Sequence, residues 1–386
     1  MHKFDLITFL IVINTGFVIF TAFLFIYIIA QKYISNFLEE KKKKFLVKLE
    51  NAFLKLIIEN DESEIKIIIT NLSRNEFEHF VEFFSVYISS IKSEDLKKIT
   101  QIILKDNIFE KICALTKSKD IGIRLYSIYS LGLLKISESA TYLRAAMKDE
   151  NPLIKIIAAS SIARIKDLSY IDEVLYLLAD QKLLTFHRMA EILWEYGDES
   201  CPRLLEILKK NIEKKKVHEN STIIPVILKL LGHWKYMEAA PVIAELLCPF
   251  YENCIVNHEK IKHCPALAPK NITDMYVIKS AVEALGKMMY TNAARCIYQY
   301  TYSDHSDVKI NCINAFAELQ DGDKFPRMKE LLSDDDWNVR YASACALYKM
   351  GYNLQQFLFE PQPENKVFER ACRTVVHVLT ERTIAS

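Results

Sequence analysis

Hydrophobic and polar positions divide the 386-residue chain into four stretches. Residues 6–31, LITFLIVINTGFVIFTAFLFIYIIAQ, carry no charge and are apolar on every side of a helix. From 33 to about 105, apolar residues recur at helical spacing without a longer period, as in NEFEHFVEFFSVYISSIKS. Residues 107–352 alternate short amphipathic segments in pairs, and the chain ends on PENKVFERACRTVVHVLTER, a last amphipathic helix. Apolar spacings of three and four throughout predict an all-α chain.

The pairs repeat. In SDDDWNVRYASACALYKMG, residues 333–351, small residues crowd the face that Val339 and Leu347 mark as buried. Taking Arg340 as the anchor, steps of 31 lead back to Lys309 and Ile278, and the same step separates Arg124, Lys155 and Phe186. Ile224 anchors a weaker copy, one period and seven residues after Phe186 and one period and 23 before Ile278. A first helix precedes each anchor, with Leu143, Val174, Leu205, Ile243, Ile297 and Met328 at matching places. Seven copies on one period predict a solenoid of helix pairs, in which small residues let neighbouring backbones approach. Both insertions, about 209–220 and 248–273, fall between the two helices of adjacent repeats and so belong on one edge.

Composition supports this reading. Only 8 Gly and 10 Pro occur, far below average usage of about 7% and 5%. Six glycines (132, 197, 232, 286, 322 and 351) sit near the ends of second helices, where a C-cap or a close contact wants them. Charge is balanced, 50 basic against 49 acidic, without the basic excess of a nucleic-acid binder. Nine scattered Cys fit reduced thiols better than a disulfide framework.

Residues 6–31 span roughly 39 Å as a helix, enough for a bilayer core of about 30 Å. A cleaved signal peptide has a shorter apolar region, so an uncleaved anchor is expected at 1–32. Lys3 precedes the segment, whereas Lys32, Lys41, Lys42, Lys43, Lys44 and Lys48 follow it. The positive-inside rule then puts the N-terminus outside and the repeats in the cytoplasm, single-pass in the inner membrane. Residues 33–106 are expected to join the anchor to the array and cap it, 107–352 to form the array, and 353–386 to close it.

Candidate chemistry is sparse. No nucleotide loop, zinc-protease or hydrolase motif occurs, so no catalytic residue, cofactor or enzymatic activity is expected. In CPFYENCIVNHEKIKHCP, Cys254, His258, His263 and Cys264 are ligand types that zinc accepts. His263 and Cys264 are adjacent and converge poorly on one ion, so incidental Cys and His in a loop is the plainer reading. Arg124, Lys155, Lys309 and Arg340 each follow an acidic residue, which predicts a structural ladder to loop carboxylates of the next repeat. It lapses at Phe186, Ile224 and Ile278. Lys214, Lys215 and Lys216 in one insertion, and Phe250 and Tyr251 in the other, are side chains that helix packing does not need. They are the expected partner-binding candidates.

With Val-Arg-x-x-Ser-Ala-x-Ala-Leu-x-x-x-Gly at 339–351 and its copies, the chain resembles HEAT-repeat proteins of the short, roughly 31-residue bacterial type. The whole layout also resembles a bacterial group with one N-terminal membrane helix followed by such repeats. Members are often encoded beside family 2 glycosyltransferases of polysaccharide synthesis. The resemblance implies a membrane-tethered scaffold for a partner protein, one possibility being such a glycosyltransferase, with the lipid bilayer contacted through 6–31. The bilin lyases, which use similar short repeats to attach chromophores, offer a second function class.

Overall fold

The computed structural model describes residues 6–59, 61–87, 94, 97, 100, 101, 104, 108–180, 184–213, 222–248, 272–320, 322–359 and 366–385. Every regular element among them is helical, and the chain divides into two compact units, residues 1–146 and 147–386.

The first unit holds α1 (Leu6–Ile58), α2 (Ser63–Thr70), α3 (Arg74–Tyr87), α4 (Ile108–Leu115), α5 (Ile121–Leu134) and α6 (Ala140–Ala146). No Gly or Pro occurs after Gly16 until well past Ile58, so nothing breaks α1 where the lysines begin. The apolar segment and the first helix of the folded unit are therefore one 53-residue helix. Its first part, from Ile13 on, is long and apolar enough to cross a membrane and is unburied. Its last turns bury Leu49, Ala52, Phe53 and Leu56. Phe77, Phe80, Val81 and Phe84 line one side of α3, and Phe53 meets Phe83 at 5.4 Å and Phe84 at 6.3 Å between ring centres. Ser130 of α5 donates to the Val81 carbonyl at 3.4 Å, joining the first repeat pair to α3. The boundary between the two compact units, at 146/147, falls between α6 and the helix that follows it, within the repeats.

The second unit contains α7 (Pro152–Ile165), α8 (Ile171–Asp180), α9 (Phe186–Trp194), α10 (Cys201–Glu213), α11 (Ile223–His233), α12 (Ala240–Leu247) and α13 (Ile272–Lys287). It continues through α14 (Ala294–Tyr300), α15 (Ser306–Leu319), α16 (Phe325–Leu331), α17 (Trp337–Lys349), α18 (Leu354–Phe359) and α19 (Lys366–Ala385). Second helices α9, α11, α13, α15 and α17 pack side by side, each against the next. Leu143, Val174, Ile243, Ile297 and Met328 are fully buried and Leu205 nearly so. Side-chain caps start α5, α7, α9 and α17, where Asp120, Asn151, Thr185 and Asp336 accept backbone N–H groups.

Two features confirm the period. Left-handed residues close the second helices at Lys135, Lys166, Gly197, Lys235, Met289, Gln320 and Gly351. All seven stand eleven residues after their anchors, across both insertions. Glycine also marks the closest approaches. A Cβ on Gly232 of α11 would lie 2.6 Å from the Cα of Ala284 on α13, and one on Gly286 would lie 2.8 Å from the Cα of Ala315 on α15. Ala346 occupies the place of Ala284 and Ala315 in the last repeat and is equally buried. Small residues thus crowd the buried face because a neighbouring backbone fills the space. At the end of the unit, Ala371, Thr374, Val375 and Val378 of α19 are buried, and α19 packs on α17.

Candidate functional site

The exposed side of the second helices in the second unit carries a patterned strip. Nine residues after the anchors stand Arg164, Glu195, His233, Lys287, Glu318 and Lys349. Cβ atoms on successive second helices face the same way, so residues 31 apart become neighbours across the stack. Arg164 meets Glu195 at 3.6 Å, and Lys349 meets Glu318 at 2.6 Å. Five residues after the anchors stand Glu191, Lys229, Glu283, Asn314 and Cys345. Between α13, α15 and α17 these rows flank a groove of about 620 Å³. Gly286, Ala315, Ala317 and Ala346 form its floor, and Glu283, Lys287, Asn314, Glu318 and Lys349 stand along its walls. Small residues at the helix contacts leave this groove open, and charged residues line it.

The strip changes character over α9, α11 and α13. Trp194 is 47% exposed, and its ring lies 3.7 Å from the His233 ring. His233 and Lys287 follow one another in the row with no carboxylate between them, since Glu283 pairs with Lys287 within α13 at 2.6 Å. Desolvation, then the Lys287 charge, lowers the pKa of His233. Desolvation likewise lowers that of Lys229, whose amine contacts the His187 ring nitrogen. Phe186 of α9 reaches Tyr276 of α13, ring centres 5.3 Å apart. The middle of this face is therefore aromatic and cationic.

The anchor residues behave differently from one another. Lys309 reaches the Asp334 carboxylate of the next repeat at 2.6 Å. Arg124 instead donates to the Ser118 and Lys119 carbonyls at 2.6 and 3.3 Å. Arg340, 7% exposed, donates to the Asp334 and Asp335 carbonyls at 2.7 and 2.9 Å. Both guanidinium groups cap the turn leading into their own helix, because helical side chains lean towards the N-terminus. Lys155 is half-buried and makes no ion pair among the described residues. Cross-repeat pairs also occur on first helices, where Arg203 grips Asp172, 31 residues earlier, through two bonds of 2.9 Å. Sequence reasoning placed the ladder on the anchor row and missed the rows five and nine residues later. The recurrence of opposite charges at Arg164 and Glu195, and at Glu318 and Lys349, was the signal that finds them.

Cys254, His258, His263, Cys264, Lys214, Lys215, Lys216, Phe250 and Tyr251 lie outside the described residues. Among the described residues no cluster of three or more His, Cys, Asp or Glu is arranged to hold a metal. Burial raises the thiol pKa of Cys113 to about 12 and of Cys201 to about 11, and that of Cys312 further still.

No family model matches the chain, and no curated protein matches it by sequence. Among solved structures it is similar to the complex of CpcE and CpcF of phycocyanin lyase from Nostoc sp. PCC7120, at 17% identity. That match covers 70% of this chain and 94% of the other, with a TM-score of 0.26. A Kap121p mutant matches at 12% identity over 86% of this chain and 42% of its own, with a TM-score of 0.38. An engineered protein matches at 14% identity over 80% and 91%, with a TM-score of 0.33. At these scores none of the three carries a functional argument.

Proposed function

We propose that the protein is a non-catalytic scaffold, tethered to the inner membrane by residues 6–31 of α1, whose second-helix face binds a partner protein in the cytoplasm. One observation carries this reading. Across α7, α9, α11, α13, α15 and α17 the exposed rows carry ion pairs towards either end and aromatic rings in the middle, and between α13, α15 and α17 they flank a groove lined in part by small residues. Such a strip offers many weak, spatially ordered contacts, which suits recognition of a protein surface. The raised thiol pKa values of Cys113 and Cys201 argue against these two side chains as nucleophiles, because a nucleophilic cysteine needs its thiolate. The lysines after α1's apolar part support the cytoplasmic orientation. The insertions with Lys214, Lys215, Lys216, Phe250 and Tyr251 interrupt the two repeats whose second helices carry His233 and Lys287, next in sequence to the repeat that carries Trp194. The layout's resemblance to proteins encoded beside family 2 glycosyltransferases makes such an enzyme the first partner to test.

The test combines topology with capture. A C-terminal alkaline phosphatase fusion is expected to be inactive and a fluorescent-protein fusion bright. Trp194→Ala with Lys287→Glu is expected to abolish co-purification of the glycosyltransferase from detergent-solubilised membranes while helical content stays unchanged. An active phosphatase refutes the orientation, and undiminished co-purification refutes this face as the interface.

A further inference from the structure

We infer that α1 leaves the bilayer tilted, so that the face bearing Tyr33, Phe37, Lys41, Lys44 and Lys48 lies on the membrane surface, its rings at headgroup level and its lysines against anionic phospholipid headgroups. The inference rests on the reading of residues 6–31 as an anchor.

The apolar character of α1 does not stop with the charge-free segment. Tyr33 is 73% exposed, Ile34 57%, Phe37 61% and Leu38 54%. From Phe9 to Leu38, a length of helix of roughly 45 Å, large apolar side chains are exposed, with Gln31, Lys32, Ser35 and Asn36 among the last of them, against a hydrocarbon core of about 30 Å. A helix this much longer than the core tilts, and interfacial aromatic and basic side chains decide towards which face.

The structure singles out one face. Tyr33, Phe37, Lys41, Lys44 and Lys48 follow one another at steps of three and four, which puts them on a single side of the helix. The neighbouring side is already occupied. Lys42 pairs with Glu82 of α3 at 2.7 Å, and Leu49, Ala52, Phe53 and Leu56 enter the core. Lys41, Lys44 and Lys48 are exposed and make no ion pair among the described residues. Glu76 of α3 feels Lys41 and Lys48 through space, but its carboxylate is bonded by the Ser73 hydroxyl at 2.5 Å and the Ser73 N–H at 3.0 Å. An aromatic pair followed along the same face by three unpaired lysines, with Glu40 the single carboxylate at its edge, matches the order of layers met on leaving a bilayer. The lysine layer there favours anionic lipid.

The experiment uses the full chain in phosphatidylcholine vesicles with or without phosphatidylglycerol. Tryptophan is placed at either of two positions, Phe20→Trp or Phe37→Trp, and the emission of the unmodified chain is subtracted. Lipids brominated near the chain end are expected to quench Phe20→Trp. Lipids brominated near the headgroup are expected to quench Phe37→Trp, more strongly when phosphatidylglycerol carries the bromine. Replacing Lys41, Lys44 and Lys48 with Gln should remove that preference, by up to about fivefold per lysine, and leave the Phe20→Trp signal intact. Quenching at position 20 without quenching at 37 overturns the surface contact and leaves the anchor standing. Quenching at neither overturns both. Equal quenching at 37 by the two headgroups overturns the role given to anionic lipid.

Discussion

Replacing Gly232 with Ala sets two known effects against each other. In an unobstructed helix the change stabilises by up to about 1 kcal/mol, because glycine has more backbone freedom to lose. Here the new Cβ would stand 2.6 Å from the Cα and 2.8 Å from the Cβ of Ala284. Carbon atoms rest at about 3.5–4.0 Å, so α11 and α13 must part by roughly 1 Å. Ala284 presents backbone at the contact and has no rotamer to move aside. Overpacking of this kind costs typically 1–3 kcal/mol, and with backbone at the contact the upper half of that range applies, which leaves a net loss of about 1–2 kcal/mol. For a unit of this size that lowers the melting temperature by roughly 2–8 °C. Thermal and urea unfolding of the purified full-length chain in detergent, followed by circular dichroism, measures it. A gain of about 1 kcal/mol, which helix propensity alone would give, refutes the close approach.

Three further outcomes follow from the geometry. Ala346→Leu enlarges the residue at the same place in the last repeat and should destabilise by about 1–3 kcal/mol; an unchanged urea midpoint shows that α17 does not press on α15. His233 is held below its ordinary pKa in the folded state, so the unfolded chain takes up more protons as pH falls through about 6.5. Its contribution to stability is present above that pH and lost below it. The urea midpoint should drop between pH 7.5 and 5.5, and His233→Phe should lessen the drop; an equal drop in both proteins removes His233 from the account. Elemental analysis should find far less than one zinc per chain, whereas near-stoichiometric zinc lost on Cys254→Ser would make the 248–273 insertion a metal site.

The repeat architecture was legible because its determinants are local. Each helix pair writes its own buried residues, its cap and its small-residue contacts into 31 positions, so the period survives both insertions. The charge ladder was harder to place. A basic residue after an acidic one suggested a bridge, yet the lean of helical side chains sends Arg124 and Arg340 back to carbonyls of their own turns. The pairs that cross repeats, such as Glu318 with Lys349, need the register of two helices to be known first. The continuity of α1 was missed for a different reason. The lysine run reads as the end of a membrane segment, but Lys and Glu are good helix formers, and polarity can change along a helix without breaking it.

The left-handed residues that close the second helices have a mechanical consequence. Only two of the seven, Gly197 and Gly351, are glycine. The other five hold a conformation that costs an L-residue roughly 1 kcal/mol more than glycine. Each is a small pre-loaded spring at the joint between one helix pair and the next. In a stack where each pair mainly touches its neighbours, stability is close to a sum over pairs and interfaces, so relaxing one spring stabilises that joint and leaves distant ones alone. Glycine at Lys235 would relax the joint between the two insertions and glycine at Met289 the joint after the second, while glycine at Lys166 or Gln320 would act on joints farther along the stack. The chain can thus be stabilised one joint at a time without altering any residue of its exposed strip.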